Sequence, residues 1–211
     1  LLAWDEPVDL AWILQQATGL ATIIDNDVNA FTLAEHWFGV GRDTEDFAVL
    51  TIGAGVGLGL VCGDEVVRGH GGAAGMVGPL PVLGVRTASE VLTTRALEAD
   101  AAALLGRPVG LDEVTGLTAS DERIASLLDD VADAVGRLVG IVASVTCPER
   151  VLVAGEGASV LTGREDRIRV QAELMRSPGA DDPEIVVEAV GNDEWARGAA
   201  ALAIRSRMGA V

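Results

Sequence analysis

The spacing of apolar positions changes several times along this chain, and each change marks an element. The most regular stretch is residues 121–145, where Ile124, Leu128, Val131, Val135, Leu138, Val142 and Val145 recur at three- and four-residue steps. That period predicts a long helix with one buried face, stopped by Pro148. Shorter helices are predicted over residues 9–18, over an Ala-rich stretch reaching Phe38, over 89–105 with Ser89 as N-cap, over 165–175, and from a capping Asp193 to about Arg207. Apolar runs bounded by turn residues predict strands at 21–24, 47–52, 58–62, 65–68, 151–154 and 185–190. Gly63-Asp64 reads as a hairpin turn, and the Gly- and Pro-rich residues 70–81 as irregular. Strands and helices alternate around one hairpin, which predicts a mixed α/β sheet and not a uniform run of βαβ units.

Composition narrows the class. Of 211 residues, 49% are apolar, enough to bury a core, while no apolar run is long enough to span a bilayer. The formal charge of −17 repels phosphate backbones, so this segment is not expected to bind nucleic acid by itself. Cys62 and Cys147 lie far apart and form no CxxC pair; both are expected to be reduced core cysteines of a cytoplasmic protein. The first residues have no basic n-region and no initiator Met, and the chain reads as a fragment without a secretory signal.

Three segments carry residues suited to ligand chemistry. Asn26-Asp27-Val28-Asn29 joins a predicted strand to a helix, a junction that faces the crevice at the carboxyl end of a sheet. An Asp there can take a proton from a substrate hydroxyl; Asx residues at such a place also serve as plain helix caps. Gly53-Ala54-Gly55-Val56-Gly57-Leu58-Gly59 joins two strands. Alternate glycines let the backbone approach a phosphate or sugar and present N–H groups to an anion, or simply form a tight bulged hairpin. No helix follows and no Gly-Lys-Ser/Thr is present, which excludes a Rossmann fingerprint and a P-loop. In Val151-Leu152-Val153-Ala154-Gly155-Glu156-Gly157-Ala158 a buried strand runs into small residues. That suits an adenosine or phosphate group at a helix N-terminus, or ordinary close packing.

In this order and spacing the segments resemble the ROK family (repressors, open reading frames and kinases), especially its actinobacterial-type sugar regulators. The resemblance covers nearly the whole chain. It rests on residues 25–29 with Ala34-Glu35-His36-Trp37-Phe38-Gly39, on Ile52 through Gly55, Gly57, Gly69, Gly75 and Gly78, on the 153–158 turn, and on Trp195-Ala196-Arg197-Gly198-Ala199-Ala200. It implies an α/β protein of the actin-like ATPase (ribonuclease H-like) fold with two lobes, the N-terminal one incomplete. A small-lobe remnant would span 1–46, the large lobe 47–191, and a C-terminal helix over 192–211 would pack back towards the small lobe. By the resemblance Asp27 takes the place of the catalytic base that deprotonates a sugar hydroxyl for attack on the γ-phosphate of ATP, and Asn26 that of a sugar ligand. The sugar-binding candidates are then Asn26, Asp27, Gly55 and Glu90; the phosphate- or nucleotide-binding candidates are Gly53, Gly55, Gly57, Gly155 and Gly157.

The departures from the family pattern set the expected function. Family kinases carry Gly-Glu-x-Gly-His where this chain has Gly75-Met76-Val77-Gly78-Pro79. A thioether is a poor acceptor for a sugar hydroxyl, and Pro79 cannot ligate a metal. The family's Cys-rich zinc loop is replaced by residues 81–89 with no Cys, so zinc lacks its tetrahedral ligands and no cofactor is expected, with ATP and magnesium only if the chain is a kinase. Glu90 follows the shortened loop and reads either as a sugar ligand or as a first-turn carboxylate favoured by the helix dipole. An Asp-x-Gly-x-Thr phosphate strand is absent. The expectation is a sugar-sensing effector and oligomerisation domain of a transcriptional regulator, with a zinc-free sugar kinase as the alternative. The expected ligand is a sugar or sugar phosphate. DNA would be reached through a segment outside this one, in a homo-oligomer with no membrane contact.

Overall fold

A computed structural model describes residues 8–176 and 179–208. In chain order it has helices α1 (Leu10–Thr18) and α2 (Asp27–Phe38), strands β1 (Phe47–Ile52), β2 (Val56–Cys62) and β3 (Glu65–Val66), and a hairpin of β4 (Pro81–Leu83) and β5 (Arg86–Thr87). Helices α3 (Ala88–Leu92), α4 (Thr94–Leu105), α5 (Leu111–Leu117) and α6 (Glu122–Thr146) follow. Then come β6 (Arg150–Ala154), α7 (Glu165–Leu174), β7 (Glu184–Glu188) and α8 (Asn192–Arg207). Short 3-10 turns occupy His70–Gly72 and Glu156–Leu161.

The five main strands form one sheet in the order β3-β2-β1-β6-β7. Strand β1 is its middle, antiparallel to β2 and parallel to β6, and β7 runs parallel to β6. All six residues of β1 are buried, because helices cover both faces. The two-residue period of a strand then sorts its side chains. Ala48, Leu50, Ile52, Val151 and Val153 enter the core shared with α3 to α7, whereas Phe47, Val49, Leu152 and Ala154 enter a smaller core with α2 and α8.

Helix α6 contributes more to the larger core than any other element, through residues such as Ile124, Leu128, Val131, Val135 and Leu138, each worth about 1.5–3 kcal/mol on burial. Asp121 caps its N-terminus, accepting the Arg123 backbone N–H at 3.0 Å and Arg123 Nη2 at 2.6 Å. The hydrogen bond from the Arg123 side chain holds the Asp121 carboxyl down to about 2. Gly136 and Gly140 stand one turn apart on the α7 side. A Cβ on them would lie 2.5 Å from the Ile168 carbonyl oxygen and 2.6 Å from that of Ala172, so the two helices touch backbone to backbone.

Several local expectations are corrected. Residues 21–24 form no strand; they have no regular structure and no ladder partner, and Ile23 and Ile24 are exposed. The second strand begins at Val56, and β3 stops at Val66. The helix expected over 89–105 is two helices broken at Thr93, whose ψ of 147° is extended. Ser89 lies inside the first of them. Thr87 is its N-cap, in a capping box with Glu90, and Thr93 caps the second. The β4–β5 hairpin and α5 have no counterpart in the sequence reading. Asp193 lies in the first turn of α8 and does not cap it, since Gly191 is the N-cap residue. Both cysteines are free, as expected, but exposed and not in the core: Cys62 ends an outer strand and Cys147 is the left-handed C-cap of α6. No helix among the described residues is long and apolar enough to cross a membrane.

Candidate functional site

Parallel pairing of β1 with β6 places Thr51 opposite Ala154, so both strands end at the same edge and their following turns, at Gly53 and Gly155, lie side by side. The antiparallel β2 starts at that edge, opposite Ile52. The N-terminus of α2 reaches it from the α2–α8 face. Together they enclose a cleft of about 450 Å³ at the carboxyl ends of β1 and β6, the usual place for a ligand in an open α/β sheet.

Glycines make this edge possible. Gly155 has φ of 107°, and a Cβ there would lie 2.3 Å from the Ile52 carbonyl oxygen. Gly57 and Gly59 serve a different contact. A Cβ on Gly57 would come within 2.7 Å of Val28 Cγ2, and one on Gly59 within 1.8 Å of Thr32 Oγ1. Two strand residues advance about 6.6 Å and four helix residues about 6 Å. A Gly-x-Gly repeat in β2 therefore matches Val28 and Thr32, one helical turn apart in α2. The repeat brings α2 down onto the sheet.

Helix α2 is held at three points, two of them at its start. Asp25 Oδ2 accepts Arg68 Nε at 2.9 Å and Nη2 at 2.8 Å. Asn26 caps the helix through Oδ1, which accepts the Asn29 N–H at 3.1 Å. At the other end Glu35, a buried residue, accepts the Val40 N–H at 3.0 Å and Arg197 Nη2 of α8 at 2.6 Å. Asp27 follows the cap. Its Oδ1 accepts the Val28 N–H at 2.8 Å, and the side chain is exposed on the cleft.

Of the residues singled out in the sequence, Asn26, Asp27, Gly53, Gly55, Gly57 and Gly155 line the cleft together, and Gly157 and Glu90 do not. Gly157 is buried under β1, its Cβ position 3.1 Å from the Ile52 carbonyl oxygen. The Glu90 carboxylate accepts the Thr87 N–H at 2.8 Å and the Thr87 hydroxyl at 2.9 Å. Those bonds, the backbone one first, hold it below the usual glutamate range. Three further lining residues were not singled out as ligands: Thr51, Glu156 and Trp195. Trp195 packs against Phe31 of α2, with ring centroids 5.1 Å apart and planes tilted by 40°. Its place beside the cleft depends on how α8 docks, which no local pattern encodes. Met76, 73% exposed, forms another part of the wall.

The cleft has a one-signed charge. Asp27 and Glu156 line it, and among the described residues no Arg, Lys or His does. Zinc finds no Cys or His donor in residues 75–89, the β4–β5 hairpin included. Among the described residues no group of three His, Cys, Asp or Glu side chains is placed to hold a metal ion.

The sheet order, the cleft at its carboxyl edge and the helices on both faces define an actin-like ATPase fold. The sequence model of the ROK family matches residues 2–206, and the chain belongs to that family. It is 41% identical over 112 residues to a β-glucoside kinase of Listeria monocytogenes, an alignment covering 49% of this chain and 37% of that protein. It is 40% identical over 77 residues to a xylose repressor of Caldicellulosiruptor bescii, covering 36% of this chain and 19% of the repressor. The chain thus spans well under two thirds of these relatives. A ROK hexokinase of Thermus thermophilus superposes with a TM-score of 0.80 at 29% identity, over 93% of this chain and 70% of that one.

Proposed function

We propose that this chain is the sugar-sensing effector and oligomerisation domain of a ROK-family transcriptional regulator, and that it does not transfer phosphate. The observation that carries the reading is the cleft itself, which has carboxylate, amide and hydroxyl groups but no cationic side chain among its lining residues. Phosphoryl transfer depends on positive groups placed around the phosphates. A neutral polyol asks only for hydrogen-bond donors and acceptors and an apolar wall. Asn26, Asp27 and the Gly55 backbone offer the first, and Trp195 and Met76 the second. Met76 also stands where the family's kinases carry a glutamate. The reading includes no resident zinc. It assigns DNA contact to a winged helix-turn-helix elsewhere in the full protein, because a segment with a formal charge of −17 repels DNA. The sugar would bias the arrangement of the domains and so the affinity for DNA.

The test uses the full-length protein, ATP, and a panel containing glucose, xylose and aryl β-glucosides. The expected result is no ADP formation, together with a rise in unfolding temperature for at least one neutral sugar. Turnover at an ordinary kinase rate, about 1–100 s⁻¹, overturns the reading. One observation favours the kinase alternative: Asp27 is exposed on the cleft behind a capping Asn26, as a general base needs to be. If turnover is found, Asp27→Asn abolishes it; an unchanged rate in that variant removes Asp27 as the base.

A further inference from the structure

Glu156 lines the cleft with an exposed carboxylate that the sugar reading does not use. It opens the 3-10 turn after β6 and reaches across the cleft edge. Its Oε1 accepts the Thr94 hydroxyl at 3.1 Å. Thr94 begins α4, and its backbone N–H donates to the Gly53 carbonyl at 2.8 Å. A Cβ built on Gly53 would meet Glu156 Cγ at 3.2 Å, Cδ at 3.3 Å and Oε1 at 3.4 Å. The carboxylate therefore lies flat against the glycine turn, beside the positive end of a 12-residue helix. A glycine turn beside a helix N-terminus is where such an edge receives a phosphate, and here an anion of the protein's own stands against it, bonded to the Thr94 hydroxyl.

We propose that Glu156 is a specificity-determining residue that excludes phosphate-bearing ligands from the cleft and reserves it for neutral, hydroxyl-rich ones. This rests on the reading of the cleft as a sugar-sensing site and names the class of ligand it admits. A phosphate entering beside the turn meets a like charge at close range with no cation in the lining to offset it. It also competes with Glu156 for the Thr94 hydroxyl. Near a protein surface such a repulsion is large enough to lower affinity about ten-fold, and it weakens as salt is added.

The experiment is calorimetric titration of the full-length protein with ADP and with adenosine, for the wild type, Glu156→Gln and Glu156→Asp. Gln keeps the size and removes the charge; Asp keeps the charge. The expected result is that Glu156→Gln binds ADP about ten-fold more tightly than the wild type, that Glu156→Asp does not, and that adenosine distinguishes none of the three. Equal ADP affinity in wild type and Glu156→Gln, including no binding to either, overturns the proposal. So does a gain in both variants, which would make the effect one of space. Millimolar magnesium that lets the wild type bind ADP as tightly as Glu156→Gln also overturns it, since the carboxylates would then be bridging a metal to the phosphates. Loss of the neutral-sugar thermal response in the wild type defeats the sensing reading alone, because the contrast between ADP and adenosine does not depend on it.

Discussion

The two faces of the central sheet are covered in different ways. On the α3–α7 face the core is broad and aliphatic, and α6 lays a regular apolar stripe along it from Ile124 to Val142; Val145, next in the period, is exposed. The α2–α8 face has a smaller core in which Asn29, Thr32, Glu35 and His36 are buried with the apolar side chains of α2. There α2 descends onto Gly57 and Gly59, and a Cβ on Gly198 of α8 would come within 2.7 Å of the Phe31 backbone nitrogen. One face holds the sheet by bulk; the other holds one helix in one position, with its N-terminus at the cleft. Stability and site geometry are thereby separated, and substitutions on the two faces should fail differently.

The largest expected effect lies on the bulk side. Leu138 is fully buried in the middle of α6, and Leu138→Ala removes apolar contact and leaves a cavity. The expected cost is about 3 kcal/mol, read as a lower midpoint in chemical denaturation. The sugar-dependent thermal shift of the folded protein should survive. Loss of that shift with little change in midpoint would mean that the two faces are not separable.

On the other face the expected loss is smaller in stability and larger in function. Gly59→Ala places a methyl 1.8 Å from Thr32 Oγ1, whose hydroxyl is already bonded to the Val28 carbonyl at 2.7 Å. Overpacking of this kind costs about 1–3 kcal/mol and lifts the first turn of α2, so the sugar response should weaken. Thr32→Ala in the same chain removes the closest clashing atom and leaves Cβ, 2.8 Å away, to be accommodated by a small shift. The double variant should be more stable than the sum of the single effects by about 1 kcal/mol. Strict additivity in that cycle would show that Gly59 and Thr32 do not share a contact.

The contrast also explains what could be read from the sequence. The α6 stripe, the central strands and the Asn26 cap follow from periods and capping rules that act over a few residues. They emerged with bounds within a residue or two of those observed. Residues 21–24 look like a strand by composition, yet a strand exists only through a ladder partner. The Thr87-Ala88-Ser89-Glu90 stretch fits a capping box, but Ser89 also reads as an N-cap and Glu90 as a ligand, and the choice is made by the extended backbone at Thr87. The alternating glycines of β2 were legible as a motif and not as a purpose. Their spacing is set by Val28 and Thr32 of a helix earlier in the chain. Glu156 and Trp195 enter the site only because β6 lies beside β1 and α8 docks on α2, long-range facts that no window of sequence contains.

The smallest effect decides the role of Glu90. The structure gives its carboxylate to Thr87, through the backbone N–H and the hydroxyl, and leaves it outside the cleft lining. Because those bonds favour the ionised form, the folded pKa is depressed relative to the unfolded chain. A depressed carboxyl contributes stability that is fully present above its unfolded pKa, about 4.3, and that is lost as pH falls through the lower folded value. Glu90→Gln should therefore lower the unfolding temperature slightly at pH 7. The gap from the wild type should close as the pH drops below the ordinary glutamate range. Thermal scans of both proteins from neutral to acid pH measure this directly. The sugar-dependent shift at pH 7 should be the same in both, because the side chain caps α3 on the α6 side of the sheet, away from the Asp27 cleft. A variant that keeps its midpoint but no longer responds to sugar would return Glu90 to the ligand and extend the site across the edge that separates the two faces.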